Sequence, residues 1–195
     1  MATFGNTGTS TEVTWEYNDY SLGGMFALNA PGLVSKLTGL LDNLQSGHAA
    51  CHVKGLIYAD ASTQPAALAG VSLEVDLADS LAKGSVDMSF SAPVSLAAGN
   101  YWLAYHFDAA AAGVGIYRDA TGGTGYSHAD TYSDGPLDPC GAHTDNTRYF
   151  CLYATYTAAG GIGKLAWWLS AAKWNSPWEP RPSGLLLPKR ALATI

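Results

Sequence analysis

LAAGNYWLAYHF, residues 96–107, is the stretch on which the fold turns. Ala98-Gly99-Asn100 has turn chemistry, because Gly and Asn tolerate backbone angles that reverse a chain. The residues that follow carry no charge and alternate between two faces of an extended strand. Tyr101, Leu103, Tyr105 and Phe107 share one face; Trp102, Ala104 and His106 share the other. A strand apolar on both faces is covered on both. The first face is expected to be core. The second needs a cover, either a second layer of the sandwich's own packing or a tryptophan-rich arm.

Working outward, the same period of two recurs along the chain. Val13, Trp15 and Tyr17 alternate with Glu12, Thr14 and Glu16, and Gly24–Leu28 is a short apolar run. Further alternating segments centre on Leu33–Leu41, Val53–Ala59, Val71–Leu77, Val86–Phe90, Gly115–Arg118 and Phe150–Tyr156. Turn clusters punctuate them at 29–32, 42–47, 60–65 and 122–125. This pattern predicts an all-β protein, an antiparallel jelly-roll-like β-sandwich of about eight or nine strands. Residues 65–70 and 78–83 are each expected to form a short helical turn. Residues 119–146 form the longest stretch without clear strands, and a loop of that length in a small domain is usually functional or held by a partner.

The formal charge is -6 and no basic run exists, which argues against nucleic-acid binding. No apolar run approaches the roughly 18 residues of a membrane span, so no transmembrane segment is expected. MATFGNTGTST at the start lacks a positive n-region and an apolar h-region, so no secretory leader is expected. Cys51, Cys140 and Cys151 give an odd count, compatible with one disulfide and a free thiol or with three thiols.

The character changes after Thr157. Residues 1–157 are read as the sandwich domain and 158–195 as a C-terminal arm, a short helix followed by an extended segment. Four of the six tryptophans lie in the arm, at Trp167, Trp168, Trp174 and Trp178. Aromatic side chains dominate protein interfaces, and proline stiffening lowers the ordering cost of an arm. These tryptophans are the expected subunit-binding anchors, and Leu185, Leu186 and Leu187 would add a strand to a neighbour's sheet edge.

ATFGNT at 2–7, SKLTGLLDN at 35–43, VKGLIYAD at 53–60, LAAGNYWLAYH at 96–106, ADTYSDGPLDP at 129–139 and YATYT at 153–157 occur in that order. Together they resemble a jelly-roll sandwich module that recurs in bacteriophage structural proteins, of decoration and tail type, and in bacterial surface proteins. The resemblance covers 2–157. It implies a structural, display or adhesive role and carries over no catalytic residues.

Chemistry-bearing residues concentrate in the long loop. Asp130, Asp134 and Asp138 are weak candidates for a structural calcium, though their spacing fits no calcium-loop template. No other cofactor is expected. His106, His128 and His143 are read as solvated histidines, because no nucleophile elbow or acid pair accompanies them. Tyr117, Tyr126 and Tyr132 are candidates for a sugar-stacking platform, weighed against packing of the loop onto the sandwich.

The expected function is non-enzymatic: a structural protein of a multi-subunit assembly, a phage virion component (head decoration, minor capsid, or tail/fibre). It would be assembled in the host cytoplasm and dock through its arm to capsid or tail proteins and copies of itself. The alternative is a carbohydrate-binding or adhesive module, extracellular or on a cell surface, that uses the 119–146 loop. A hydrolase on the same scaffold ranks below both.

Overall fold

In the computed structural model, residues 1–15, 18–43, 51–108, 113–120 and 122–159 are described. The expected arm, with Trp167, Trp168, Trp174, Trp178 and Leu185–Leu187, lies outside the described residues. The described chain is nearly all β, as its alternation requires. Its strands are β1 (Ala2–Gly5), β2 (Val13–Trp15), β3 (Tyr20–Leu28), β4 (Gly32–Asn43), β5 (Cys51–Asp60), β6 (Pro65–Val71) and β7 (Val75–Leu77). They continue with β8 (Leu81–Leu96), β9 (Gly99–Phe107), β10 (Val114–Asp119), β11 (Gly125–Ala129), β12 (Thr144–Asn146), β13 (Tyr149–Phe150) and β14 (Leu152–Ala158).

Two antiparallel sheets form. In the first, β4 pairs along one edge with β8 and along the other with β14 and then β10; β1 lies outside β14, and β2 and β13 pair with β10. The second has the order β12-β11-β3-β9-β5-β6, with β7 also on β5. The chain passes from one sheet to the other at β2 to β3, β3 to β4, β4 to β5, β7 to β8, β8 to β9, β9 to β10, β10 to β11 and β12 to β13. The core between the sheets is therefore built from residues far apart in sequence. The sandwich runs past the expected limit at Thr157, since Ala159 donates its N–H to Pro31.

The 96–107 stretch is central, as expected. β9 lies between β3 and β5 and pairs with β3 along its full length, from Tyr20 opposite Phe107 to Leu28 opposite Gly99. The turn itself falls at Ala97-Ala98, one residue before the one expected. Leu103, Tyr105 and Phe107 join the inter-sheet core with Leu22, Leu37, Met88 and Phe150, and Tyr101 packs at its margin. Trp102 and Ala104 face the other way, into a second cluster with Leu56, Tyr58 and Tyr126.

Three expectations are corrected. Residues 65–71 form strand β6, not a helical turn, because pairing with β5 supplies backbone partners that an isolated turn lacks. At 78–83 a tight turn at Asp79-Ser80, with Ser80 at φ 63, leads straight into β8. The 119–146 region is not strand-free: β11 adds to the edge of β3 and β12 to β11.

Candidate functional site

Most of the chemistry-bearing side chains meet on the outer face of the second sheet, and the strand register explains how. Tyr126 on β11 lies opposite Gly23 on β3, which lies opposite Ala104 on β9. Two small residues thus leave a trough, and the Tyr126 ring fills it. The ring meets Trp102 edge to face at 5.6 Å, Tyr58 at 6.3 Å and the His128 ring, stacked, at 5.7 Å. In the next row His128 lies opposite Ser21, which lies opposite His106.

Beyond β11 the chain crosses the sheet as a strap. Tyr132 N–H donates to Asp19 at 3.0 Å, near β3. Tyr58 O–H donates to the Leu137 carbonyl at 3.0 Å on β5. Leu68 N–H donates to Asp138 at 3.0 Å, and Cys140 N–H to the Ala66 carbonyl at 3.0 Å, both on β6. His143 closes the strap against Gln64 at 2.5 Å. The cover of the Trp102 face is therefore residues 126–143 of the same chain.

Under the strap lies a polar group. Asp130, 5% exposed, places Oδ2 3.5 Å from His128 Nε2 and 3.7 Å from His106 Nε2. His106 Nε2 is also 3.1 Å from the Asp130 carbonyl. Leu137 N–H donates to the Asp130 carboxylate at 3.4 Å. His106 is fully buried and His128 is 5% exposed, which corrects their reading as solvated histidines: the first belongs to central β9 and the second to β11 beneath the strap. His143 sits at the strap's end, half-buried.

The chemistry open to this group is narrow. Cys140 Sγ is 3.9 Å from His128 Nδ1, but burial and the nearby Asp130 carboxylate push its thiol up to about 12. A thiol nucleophile needs the opposite shift. Ser21 lies between the two histidines, yet it is fully buried and its hydroxyl donates to the Tyr105 carbonyl and meets Tyr126 Oη. Burial holds the His106 imidazole below its usual value, keeping it neutral. The three cysteines are free thiols, with Cys51 and Cys151 buried.

Of the tyrosines proposed to stack on sugars, Tyr117 and Tyr126 are corrected by their burial. Tyr126 is fully buried, and Tyr117 is buried with its O–H donated to Asp42 and Lys83 against its ring. Tyr132 is half-buried between the His106 ring at 4.9 Å and the Lys54 ammonium at 4.2 Å, with its O–H on Glu74. The calcium candidates Asp130, Asp134 and Asp138 line one open cleft of about 300 Å³. Each carboxylate faces its own partner: Asp130 the histidines, Asp134 the Ser133 hydroxyl and Asp138 the Leu68 N–H.

Among the described residues, the His/Cys/Asp/Glu group whose ligand atoms all lie within 4.8 Å of one another is a different one: His52, Glu74 and Asp76. His52 also meets Asp108, and that hydrogen bond raises its pKa. The alternation over Val71–Leu77 sets Glu74 and Asp76 on one face of a strand. It has no means to set His52 beside them, because that depends on the register of β5 with β7. Comparison with family models, with curated proteins and with solved structures gave no match.

Proposed function

We propose that this chain is a non-enzymatic structural module of a multi-subunit assembly, a phage virion component of decoration, minor-capsid or tail type. The observation that carries the reading is the strap. A long loop that would hold a site in an enzyme or lectin here turns Tyr126, His128 and Asp130 inward to cover a sheet. The strand order β1-β14-β4-β8 against β3-β9-β5-β6, with repeated passage between sheets, supports a jelly roll as the specific topology. A rigid scaffold of this kind is suited to display, and the tryptophan-rich segment after Ala159 supplies the residue types that anchor subunits.

The test compares full-length protein, a chain ended after Ala159, and a full-length variant with Trp167, Trp168, Trp174 and Trp178 all changed to Ala. Sedimentation should show an oligomer, or incorporation into particles, for the first alone. Equal assembly by all three would overturn docking through the arm.

A further inference from the structure

We propose that His52, Glu74 and Asp76 bind one divalent transition-metal ion that clips the edge strand β7 to β5. The register builds the site. His52 lies directly opposite Asp76 in the antiparallel pair. Glu74, two residues before Asp76, shares its face of the extended chain. All three ligand atoms fall within 4.8 Å of one another. His52 Nε2 and Asp76 Oδ1 are 3.3 Å apart. Two ligands at about 2.0–2.2 Å from a tetrahedral ion stand roughly 3.4 Å apart, so this separation already has the span of a metal's coordination edge.

A second observation concerns the other side of the imidazole. His52 Nδ1 is 2.6 Å from Asp108 Oδ2, and the Asp108 side chain is only 15% exposed. Metal-bound histidines characteristically donate their remote N–H to such a carboxylate, which fixes the tautomer and aims the other nitrogen at the ion. Asp108 follows the last residue of β9, so it comes from outside the pair of strands that holds the ligands, and its main-chain N–H donates to the His52 carbonyl at 3.2 Å. In the neutral ring, Nδ1–H directed at Asp108 leaves the Nε2 lone pair to ligate an ion beside Asp76; without an ion, the protonated ring pairs with Asp76 at the same 3.3 Å.

The ligand set selects the ion. One imidazole and two carboxylates suit Zn²⁺, Co²⁺ or Mn²⁺; calcium wants six to eight oxygens. Tyr132 and Lys54 both meet Glu74 through Oε2, which orients that carboxylate. β7 is three residues long and pairs with β5 at the sheet edge, so an ion here would hold its short ladder closed.

The test uses full-length protein stripped with a chelator and titrated calorimetrically with ZnCl₂ and, separately, MgCl₂. One zinc equivalent should bind, with magnesium far weaker. Affinity should fall at least about tenfold in His52→Ala and in Asp76→Asn, and roughly 10–100-fold in Asp108→Asn. His143→Ala removes the His143–Asp145 pair, 3.3 Å apart at the end of the strap, and should leave that equivalent unchanged. Mn²⁺ should broaden the amide resonances of His52 and Asp76 first. Asp76 is largely exposed, so Asp76→Asn keeps the fold and isolates the ligand. No zinc uptake by the wild type, or uptake unchanged in a His52→Ala/Asp76→Asn double variant, would overturn the proposal.

Discussion

Trp102 and Tyr126 meet edge to face, with ring centroids 5.6 Å apart and planes at 74°. The Trp102 indole N–H donates to Asp60 at 2.9 Å, so the ring is fixed from both sides. The contact joins the central strand of the second sheet to the chain that covers it. Tyr126→Ala should therefore leave a cavity under the strap and cost about 3–5 kcal/mol in a urea titration. Tyr126→Phe removes only a long hydroxyl contact with Ser21 at 3.4 Å and should cost about 1 kcal/mol or less. Equal losses in the two variants would refute the packing account.

Close approach between strands demands glycine at two positions. A Cβ on Gly23 would come within 2.6 Å of Ala104 Cα, a backbone atom. A Cβ on Gly39 would instead meet the Tyr105 ring, at 2.5 Å from Cε1 and 2.8 Å from Cζ. Overpacking typically costs about 1–3 kcal/mol. Gly39→Ala should fall in that range, and Gly23→Ala at its top or beyond, because backbone yields less than a side chain. Tyr105→Phe should recover part of the Gly39→Ala loss and none of the Gly23→Ala loss, a contrast that double-mutant cycles in thermal melts would read.

Burial lowers the folded-state pKa of His106 below its ordinary 6.5. The groups around it are Asp130, which favours the charged ring, and Lys54 and His128, which oppose it. The sign follows from linkage: below 6.5 the unfolded chain takes up a proton that the folded chain refuses. The stability conferred by the neutral ring is thus full above about pH 6.5 and declines as pH falls toward the lowered folded value. Denaturant midpoints measured from pH 7.5 downward should show this decline in the wild type. His106→Gln should flatten it, and an unchanged slope in that variant would contradict the assignment.

Cys51 and Cys140 are each pushed up to about 12 by burial, and Cys151 is raised for the same reason. The reacting species is the thiolate. Against an ordinary thiol near 8.5, the fraction ionised at neutral pH drops by roughly three orders of magnitude. Native protein should therefore react with a disulfide reagent at pH 7.5 far more slowly than denatured protein, which should show three equivalents. A fast native equivalent would place one thiol in an activated setting.

Much of the sandwich was legible in residue order. Period-two alternation marked the segments that became β2, β4, β5, β7, β8, β9, β10 and β14, because a half-buried strand needs that pattern to bury one face, and a short apolar run marked β3. β6 was misread: PAALAG has no alternation, and it is a strand only because β5 supplies its partners. β11 and β12 were missed for a related reason. They are short and polar, and add to an edge that no local pattern announces. The candidate sites were less legible still. The residue types were visible at 126–143 and at 52, 74 and 76, but their neighbours were not.

The sequence by itself determined the β class, the central place of residues 96–107 and the core face of Leu103, Tyr105 and Phe107. Those depend on local alternation and on apolar surface leaving water. The tertiary structure alone decided what covers Trp102 and how the polar side chains are spent. Gly23 and Ser21 open two rows between β11 and β9, so Tyr126 and His128 lie down on the sheet rather than facing solvent. Asp130 is buried because histidines from two different strands surround it, and His52 meets Asp76 because β5 and β7 pair in one register and not another. Which polar group is buried, and against what, is set by contacts between distant residues, and these exist only once the strands have paired.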